Sequence, residues 1–407
     1  MKYPPRRAAS CGCGYLAAVV TLIVVASLQI QYHHLKVTHY TTLPFPFLAP
    51  FGLSLADFAT ATATQQQKQR RRGDGGGVGR WSPKTGAEGL PRGIVETSSD
   101  MYLRPLWDSA SAATTKTNAK NKKERYKALL AMAVGIEQMQ NVDTMARKFL
   151  NESYTVMLFH YDGNVDGWRG LEWSDNAIHI LAPNQTKWWF AKRFLHPSVV
   201  SIYDFIFLWD EDLGVEKFDP RRYLNIMVSE GLEITQPALD PDLSTDIHHR
   251  ITIRNKMTKV HRRVYDNRSS MNCSDDSKGP PCTGWVEGMA PVFSRAAWKC
   301  VWHLIQNDLI HGWGLDMKLG YCAQGDRAEK VGVIDSEYVV HQGIPSLGGP
   351  SHTSKIPRRS LDLRTQIRRQ SSAELEKFKE RWDKAVREDD EWMDPFEAWL
   401  LWKKDLI

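Results

Sequence analysis

The chain has 407 residues, of which 42% are hydrophobic and 25% are charged. This composition is that of a folded protein with one or two domains, and it excludes a disordered tail or a collagen. The 53 lysines and arginines exceed the 47 aspartates and glutamates by six, an excess too small to indicate an extended nucleic-acid surface. Six cysteines in so long a chain act at most as local staples, so the fold depends on a buried apolar core.

The amino terminus contains an apolar segment that predicts a membrane anchor. Residues 15–32 carry no charge and are almost wholly apolar up to residue 30, which is the short end of the length that spans a bilayer. Basic residues precede this segment at Lys2, Arg6 and Arg7. The positive-inside rule therefore predicts a cytosolic tail (1–14), a single-pass type II signal anchor (15–32) and a lumenal body, in the Golgi or another secretory-pathway membrane. A signal peptide cleaved before Ser27 is the alternative.

Two further patterns fit a lumenal body. Asn-x-Ser/Thr sequons, which accept glycans only in a translocated chain, begin at Asn151, Asn184, Asn267 and Asn272. Beyond the apolar segment the chain has four cysteines, which allow three disulfide pairings. The pairing between nearest neighbours joins Cys273 to Cys282 and Cys300 to Cys322.

Residues 33–123 lack hydrophobic periodicity and include a glutamine run and the glycine-rich segment 73–79. Such a segment buries too little apolar surface to order itself. We therefore predict a flexible lumenal stem over this range.

Regular structure is predicted from residue 124 onward. Apolar runs and helical spacing alternate along the chain, predicting strands over 126–134, 154–160, 177–181 and 204–209, with helices over 141–150 and 187–195. This alternation predicts a single α/β domain over 124–349, with a mostly parallel central sheet covered on both faces. Residues 350–407 are predicted to form a C-terminal helical extension, with helices over 373–388 and 395–404.

The strongest local signal is the apolar strand 204–209, which runs directly into Asp210, Glu211 and Asp212. Ligands bind at the carboxyl ends of strands in such sheets, and carboxylates crowded there repel one another unless a cation is bound. Hard oxygen ligands select Mn²⁺ or Mg²⁺. An acidic loop or helix cap is the structural alternative.

A glycine-tryptophan-glycine segment, Gly312, Trp313 and Gly314, precedes Asp316. The glycines allow a ligand to approach the backbone, and the indole offers a flat face for a sugar or base. Asp316 at the start of a helix could act as a proton acceptor. A glycine turn with a core tryptophan and an aspartate N-cap is the structural alternative.

Two more clusters contribute candidate residues. His341 follows an apolar strand, 331–334, and a second apolar pair, so its imidazole could complete a metal site begun by two aspartates. Trp285 and Glu287 precede the apolar run 289–293 and could contact a substrate hydroxyl. A structural histidine and a turn-capping glutamate are the alternatives.

In combination, these clusters resemble the metal-dependent glycosyltransferases of the A type. That resemblance implies a divalent ion on Asp210, Asp212 and His341, a catalytic base at Asp316, and substrate contacts from Glu211, Trp285, Glu287 and the segment Gly312–Trp313–Gly314. More narrowly, the motifs WDEDLGVEKFDP, WVEGMAPVFSRAAW, GWGLD and DSEYVVHQGIP are similar to those of a plant family catalogued only as a domain of unknown function, number seven hundred and seven, and sometimes labelled lysine-ketoglutarate-reductase trans-splicing related.

The implied function is a type II membrane glycosyltransferase that moves a sugar from a nucleotide-sugar donor to a glycan or protein hydroxyl, with Mn²⁺ or Mg²⁺ as cofactor and no nucleic-acid partner. A non-catalytic lumenal protein that binds a glycan or nucleotide sugar is the alternative. An oxidoreductase is disfavoured because Gly135, after the first strand, is followed by Ile136 and Glu137 rather than by a glycine-rich dinucleotide fingerprint.

Overall fold

The computed structural model describes residues 86–98 and 126–397, apart from 88, 246–248, 255–256, 258, 263–272, 275 and 345–356. All of these residues belong to one compact unit, Trp81–Ile407. The predicted anchor and most of the predicted stem lie outside the described residues. Within the described residues, no helix has the length and apolarity that a membrane span requires.

The strands of the described residues are β1 Ala128–Val134, β2 Thr155–His160, β3 Ile178–Leu181, β4 Phe205–Trp209, β5 Leu213–Gly214, β6 Ile234–Leu239, β7 Val260–His261, β8 Val292–Ser294 and β9 Val331–His341. They form a sheet in which neighbours follow the order β3-β2-β1-β4-β8-β6-β9-β5, with β7 paired to β9.

The sheet is mixed rather than mostly parallel. Strands β3, β2, β1 and β4 pair in parallel, as do β6 and β9. Strand β8 lies between β4 and β6 and is antiparallel to both, and the short strands β5 and β7 are antiparallel to β9. The prediction missed these three strands because two- and three-residue strands carry no measurable periodicity. It also missed the longer strand β6. Six strands still point the same way, so their carboxyl ends share one edge of the sheet.

Helices cover both faces of the sheet, as predicted. Their bounds are α1 Arg92–Ser98, α2 Met139–Asn151, α3 Lys187–Phe194, α4 Pro220–Ser229, α5 Arg295–Leu304, α6 Arg327–Lys330 and α7 Pro357–Glu388, with a 3-10 helix at Asp316–Cys322. Side chains of β1 alternate between two cores. Leu130 packs in the core that contains Phe149 of α2. Leu129 packs in the core that contains Trp298 of α5.

The C-terminal helix is longer than predicted and packs on the body. The predicted helix over 373–388 is the second half of α7, a 32-residue helix that begins at Pro357. Phe378 and Trp382 of this helix are buried in the second core. The predicted helix over 395–404 lies largely outside the described residues.

Helix α1 lies within the range predicted as a flexible stem. Its Ile94 is fully buried, and Arg92 binds Asp389, just beyond α7, through a backbone and a side-chain hydrogen bond of 2.8 Å each. A seven-residue helix is too short to order itself, so contact with the body stabilises it.

Two disulfides join Cys273 to Cys282 and Cys300 to Cys322. These bonds confirm the nearest-neighbour pairing expected from the sequence. Strand β9 differs from the prediction, because it continues past residue 334 as one eleven-residue strand to His341. Buried charges inside this strand have partners: His261 binds Asp335 and Arg222 binds Glu337, each at 2.8 Å.

Candidate functional site

A pocket of about 620 Å³ opens at the carboxyl edge of the sheet, a volume typical of small-molecule sites. The pocket is lined by residues that follow β2 and β4 and by the last residue of β9, together with the start of α3, the glycine-tryptophan-glycine segment and one face of α7. Of the ten residues predicted for the site, nine line this pocket: Asp210, Glu211, Asp212, Glu287, Gly312, Trp313, Gly314, Asp316 and His341.

The tenth residue, Trp285, lies in the hydrophobic core with only 2% of its surface exposed. It is not among the residues that line the pocket. Trp285 was predicted for the site because it lies two residues before Glu287 in the sequence. Two residues at this spacing can nevertheless lie in different environments when the chain turns between them. We therefore assign Trp285 to packing.

Asp210 is bound by an ammonium group. Lys187 Nζ lies 2.5 Å from Asp210 Oδ1, and it donates to the carbonyl oxygens of Gly288 at 2.7 Å and Met289 at 3.2 Å. These three acceptors match the three protons of the ammonium. Desolvation raises the pKa of Asp210, whereas the charge of Lys187 lowers it. Asp210 thus already has one internal counter-ion.

Asp212 is paired with His341. The Nε2 atom of His341 lies 3.3 Å from Asp212 Oδ2, and its Nδ1 lies 2.6 Å from the carbonyl oxygen of Thr245. The carbonyl accepts the Nδ1 proton, which orients Nε2 toward the carboxylate. The hydrogen bond with Asp212 raises the pKa of His341 to about 9, against the effect of burial. A backbone N–H, that of Ile344, also donates to Asp212 Oδ2 at 3.1 Å.

Glu211 points back into the protein. Its Oε2 accepts the Gly135 N–H at 2.7 Å, and its Oε1 accepts the Tyr161 hydroxyl. These contacts join the end of β4 to the ends of β1 and β2. Burial raises the pKa of Glu211 to about 8, although the two hydrogen bonds lower it. With both oxygens engaged, Glu211 is a support of the pocket floor.

Glu287 and Asp316 form a second pair of acids on the pocket wall. The backbone N–H of Glu287 donates to Gln236 Oε1 at 2.5 Å, and Oε2 of Glu287 accepts the Met289 N–H at 2.9 Å. Burial raises the pKa of Glu287 to about 7, and the charges of Asp316 and Asp210 add to this effect. A carboxyl group with a pKa near neutrality is suited to proton transfer or to hydrogen-bond donation.

The glycine-tryptophan-glycine turn presents an indole to the pocket. Gly312 and Gly314 have φ angles of +69° and +93°, which side chains rarely adopt. A Cβ on Gly312 would lie 2.4 Å from Trp188, and one on Gly314 would lie 2.7 Å from Leu375 of α7. The turn is therefore wedged between two walls, and Trp313 between its glycines remains 46% exposed.

The carboxylates and imidazole have the donor types of a divalent-cation site, two oxygens and one nitrogen. His341 also has the outer hydrogen bond, from Nδ1 to a backbone carbonyl, that orients metal-binding histidines. However, within the described residues no group of three or more His, Cys, Asp or Glu side chains is already arranged around a cation position. Lys187 at Asp210 is one reason for this, because its ammonium occupies the place beside that carboxylate.

The sequence predicted helices over 187–195 and 373–388, but it did not identify Lys187 or helix α7 as parts of the site. Lys187 is the first residue of α3, after the capping residue Thr186, whose hydroxyl accepts the Trp189 N–H at 3.3 Å. The predicted helix over 187–195 begins at the correct residue, but no sequence signal pairs Lys187 with Asp210, 23 residues away. The α7 residues that line the pocket lie still further along the chain.

The fold and pocket define an α/β protein with a pocket at the carboxyl edge of its sheet, lined by acids and aromatic side chains. The chain belongs to the family described as "Protein of unknown function (DUF707)", which matches residues 81–388. No curated protein matches the chain.

Solved structures resemble parts of this chain at low identity. WbbM, a bifunctional glycosyltransferase, is 10% identical with a TM-score of 0.27, over 46% of this chain and 35% of WbbM. The 4-diphosphocytidyl-2C-methyl-D-erythritol synthase of Anaerococcus prevotii is 9% identical with a TM-score of 0.32, over 60% of this chain and 100% of that one. The mannosyltransferase Ktr4p of S. cerevisiae, in complex with GDP, is 11% identical with a TM-score of 0.20, over 41% of this chain and 54% of Ktr4p. These likenesses carry no argument about activity.

Replacing Glu211 tests its role as a support. We expect Glu211→Ala to lower the free energy of unfolding by about 3 kcal/mol, because the Gly135 N–H and the Tyr161 hydroxyl lose their acceptor in a buried position. Glu211→Gln keeps an acceptor oxygen and is expected to lose clearly less. Urea denaturation of the two variants measures the difference, and equal stabilities of Glu211→Ala and the wild type would contradict this role.

Proposed function

We propose that the protein is a glycosyltransferase, which moves a sugar from a nucleotide-sugar donor to a hydroxyl acceptor. The observation that carries this proposal is the convergence of two groups of acids, Asp210 and Asp212 at the strand ends and Glu287 and Asp316 on the wall, in one pocket beside an exposed indole. This pocket offers a place for a cation-bound diphosphate and for a sugar with a reactive hydroxyl.

Asp210, Asp212 and His341 would hold Mn²⁺ or Mg²⁺. The bound ion would neutralise the charge of the departing diphosphate. In the structure these carboxylates are compensated by protein cations. To hold the ion, His341 would have to give up the Nε2 proton that faces Asp212, and Lys187 would have to move away from Asp210. Lys187 would then be free to reach a phosphate oxygen.

Asp316 is proposed as the proton acceptor in a single displacement at the anomeric carbon. The acceptor oxygen forms its bond to that carbon, the bond from carbon to the phosphate oxygen breaks, and the nucleoside diphosphate leaves with the electron pair. The hydroxyl proton passes to Asp316. Glu287, with its raised pKa of about 7, would donate a hydrogen bond within the same pocket in its protonated form.

A protein that binds a nucleotide sugar or glycan without turnover is the second candidate. The internal compensation of Asp210 by Lys187 and of Asp212 by His341 favours it, because these two carboxylates already have protein cations as partners. This candidate predicts ligand binding without product, whereas a transferase releases a nucleoside diphosphate. Turnover assays therefore separate the two.

Replacing Asp212 tests the cation site. We expect Asp212→Asn to lower Mn²⁺-dependent release of nucleoside diphosphate at least about 100-fold, because the neutral amide no longer balances the cation. The exposed Asp175, outside the pocket, gives the matched control Asp175→Asn. Product release is measured across a panel of nucleotide sugars, and Mn²⁺ binding by electron paramagnetic resonance. Wild-type binding of Mn²⁺ that Asp212→Asn leaves unchanged would refute this site.

The pH dependence of kcat distinguishes the roles of Asp316 and Glu287, the two acids on the wall. Asp316→Asn is expected to lower kcat about 10²- to 10⁴-fold, because the amide cannot accept the proton of the hydroxyl. If Glu287 acts in its protonated form, the wild-type rate falls as the pH rises above about 7, and Glu287→Gln removes this fall because the amide remains a donor. Profiles of kcat against pH measure both effects. A rate that instead falls below pH 7, and is abolished in Glu287→Gln, would make Glu287 the base.

We also propose that the protein is a type II glycoprotein of a secretory-pathway membrane, anchored through residues 15–32. Both disulfides support an oxidising compartment. Two of the sequon asparagines, Asn151 and Asn184, have exposed side chains, as glycan attachment requires.

Glycosidase sensitivity and protease protection test this topology in plant cells. We expect the protein to gain mobility on endoglycosidase treatment, and the combined Asn151→Gln and Asn184→Gln variant to lose part of that shift. A tag at the carboxyl terminus should resist protease in intact microsomes, while a tag at the amino terminus should be digested. Digestion of the carboxyl-terminal tag in sealed microsomes would exclude a lumenal body.

A further inference from the structure

Helix α7 forms a wall of the pocket. Ile367, Ser371 and Leu375 line the pocket, and their spacing of four residues places them on one face of the helix. Arg368, next to Ile367, lines the pocket as well. A C-terminal helix that only covered the core would not contribute these side chains to a cavity.

The wall is held in place by charged contacts to the loop before the glycine-tryptophan-glycine turn. Glu374 accepts the backbone N–H of His311 at 2.9 Å. Further along the helix, Lys377 and Arg381 each bind Asp308 at 2.8 Å. The wall and the turn that carries Trp313 are therefore positioned as one unit before any ligand binds, which lowers the entropy cost of recognition.

Arg368 differs in its environment from the other cations of the pocket. Lys187 is committed to Asp210, and His341 to Asp212. The Arg368 side chain is exposed, and its guanidinium has no ion pair or hydrogen bond among the described residues. It is thus a positive charge available to a ligand in a pocket whose other cations are engaged.

We propose that Trp313 and Arg368 form a subsite for an acceptor glycan that carries an anionic sugar. A sugar ring would lie on the indole, and the anionic group would bind the guanidinium. Arginine presents a planar fork of donors that matches a carboxylate or sulfate in two parallel hydrogen bonds. This inference rests on the proposed transferase function, since it names the acceptor of that same pocket.

The test compares binding of three glycan sets by the purified full-length protein: oligosaccharides with hexuronic acid, sulfated oligosaccharides, and neutral oligosaccharides of equal length. We expect binding of at least one anionic set and little binding of the neutral set. Arg368→Ala should weaken anionic-glycan binding at least about tenfold, and Trp313→Ala should weaken it as well. The anionic set that binds identifies the group as carboxylate or sulfate.

A neighbouring arginine provides the control. Arg369 is also exposed but does not line the pocket, so Arg369→Ala should bind glycans as the wild type does. Arg368→Lys keeps the charge but loses the fork, and an intermediate affinity is expected. Equal binding of neutral and anionic glycans, or equal losses in the Arg368 and Arg369 variants, would overturn the subsite.

Binding of UDP or GDP, measured by calorimetry on the same variants, separates this inference from the proposed function. Arg368→Ala should leave nucleotide binding unchanged. If it weakens nucleotide binding and not glycan binding, Arg368 serves the donor, and the acceptor subsite is refuted. If the wild type binds anionic glycans through Arg368 but releases no nucleoside diphosphate from any donor, the transferase proposal fails while the glycan subsite stands.

Discussion

Carboxylate charge at the edge of a sheet has to be compensated, and the pocket of this protein is built around that compensation. Lys187 neutralises Asp210 and His341 pairs with Asp212. Glu211 instead turns inward, where a backbone N–H and a tyrosine hydroxyl donate hydrogen bonds to its oxygens. Three consecutive acids thus have three different environments, and their mutual repulsion is relieved at each position by a separate partner. Asp210 and Asp212 remain directed at the pocket.

The same arrangement explains why both a transferase and a binding protein are compatible with the pocket. In a transferase, a metal and a diphosphate would replace the internal ion pairs, so the free energy of those pairs opposes binding of the cofactor. In a binding protein, the internal pairs would persist. In the proposed transferase, a divalent ion would have to compete with Lys187 for Asp210, and the ligand that enters with the ion would decide the outcome.

Long-range packing completes the pocket. Helix α7 contributes a wall from the C-terminal part of the chain, and α1 packs against it from the range predicted as a stem. The conformation of the glycine-tryptophan-glycine turn depends on both walls, since Trp188 and Leu375 leave no space for a side chain at either glycine. A family match that runs from residue 81 to residue 388 covers both helices, in agreement with their contribution to the body.

Sequence by itself determined the alternation of strands and helices up to residue 209 and the position of the acids after β4, because periodicity and strand ends are local properties of the chain. It left three disulfide pairings open, and the structure selects one of them. It did not determine the antiparallel strand β8, the direction of each acidic side chain or the burial of Trp285. Those features depend on which distant residue supplies a counter-ion or a packing surface. Only the tertiary structure brings Lys187 to Asp210 and Arg368 to the pocket, since no local pattern encodes contacts between residues so far apart in the chain.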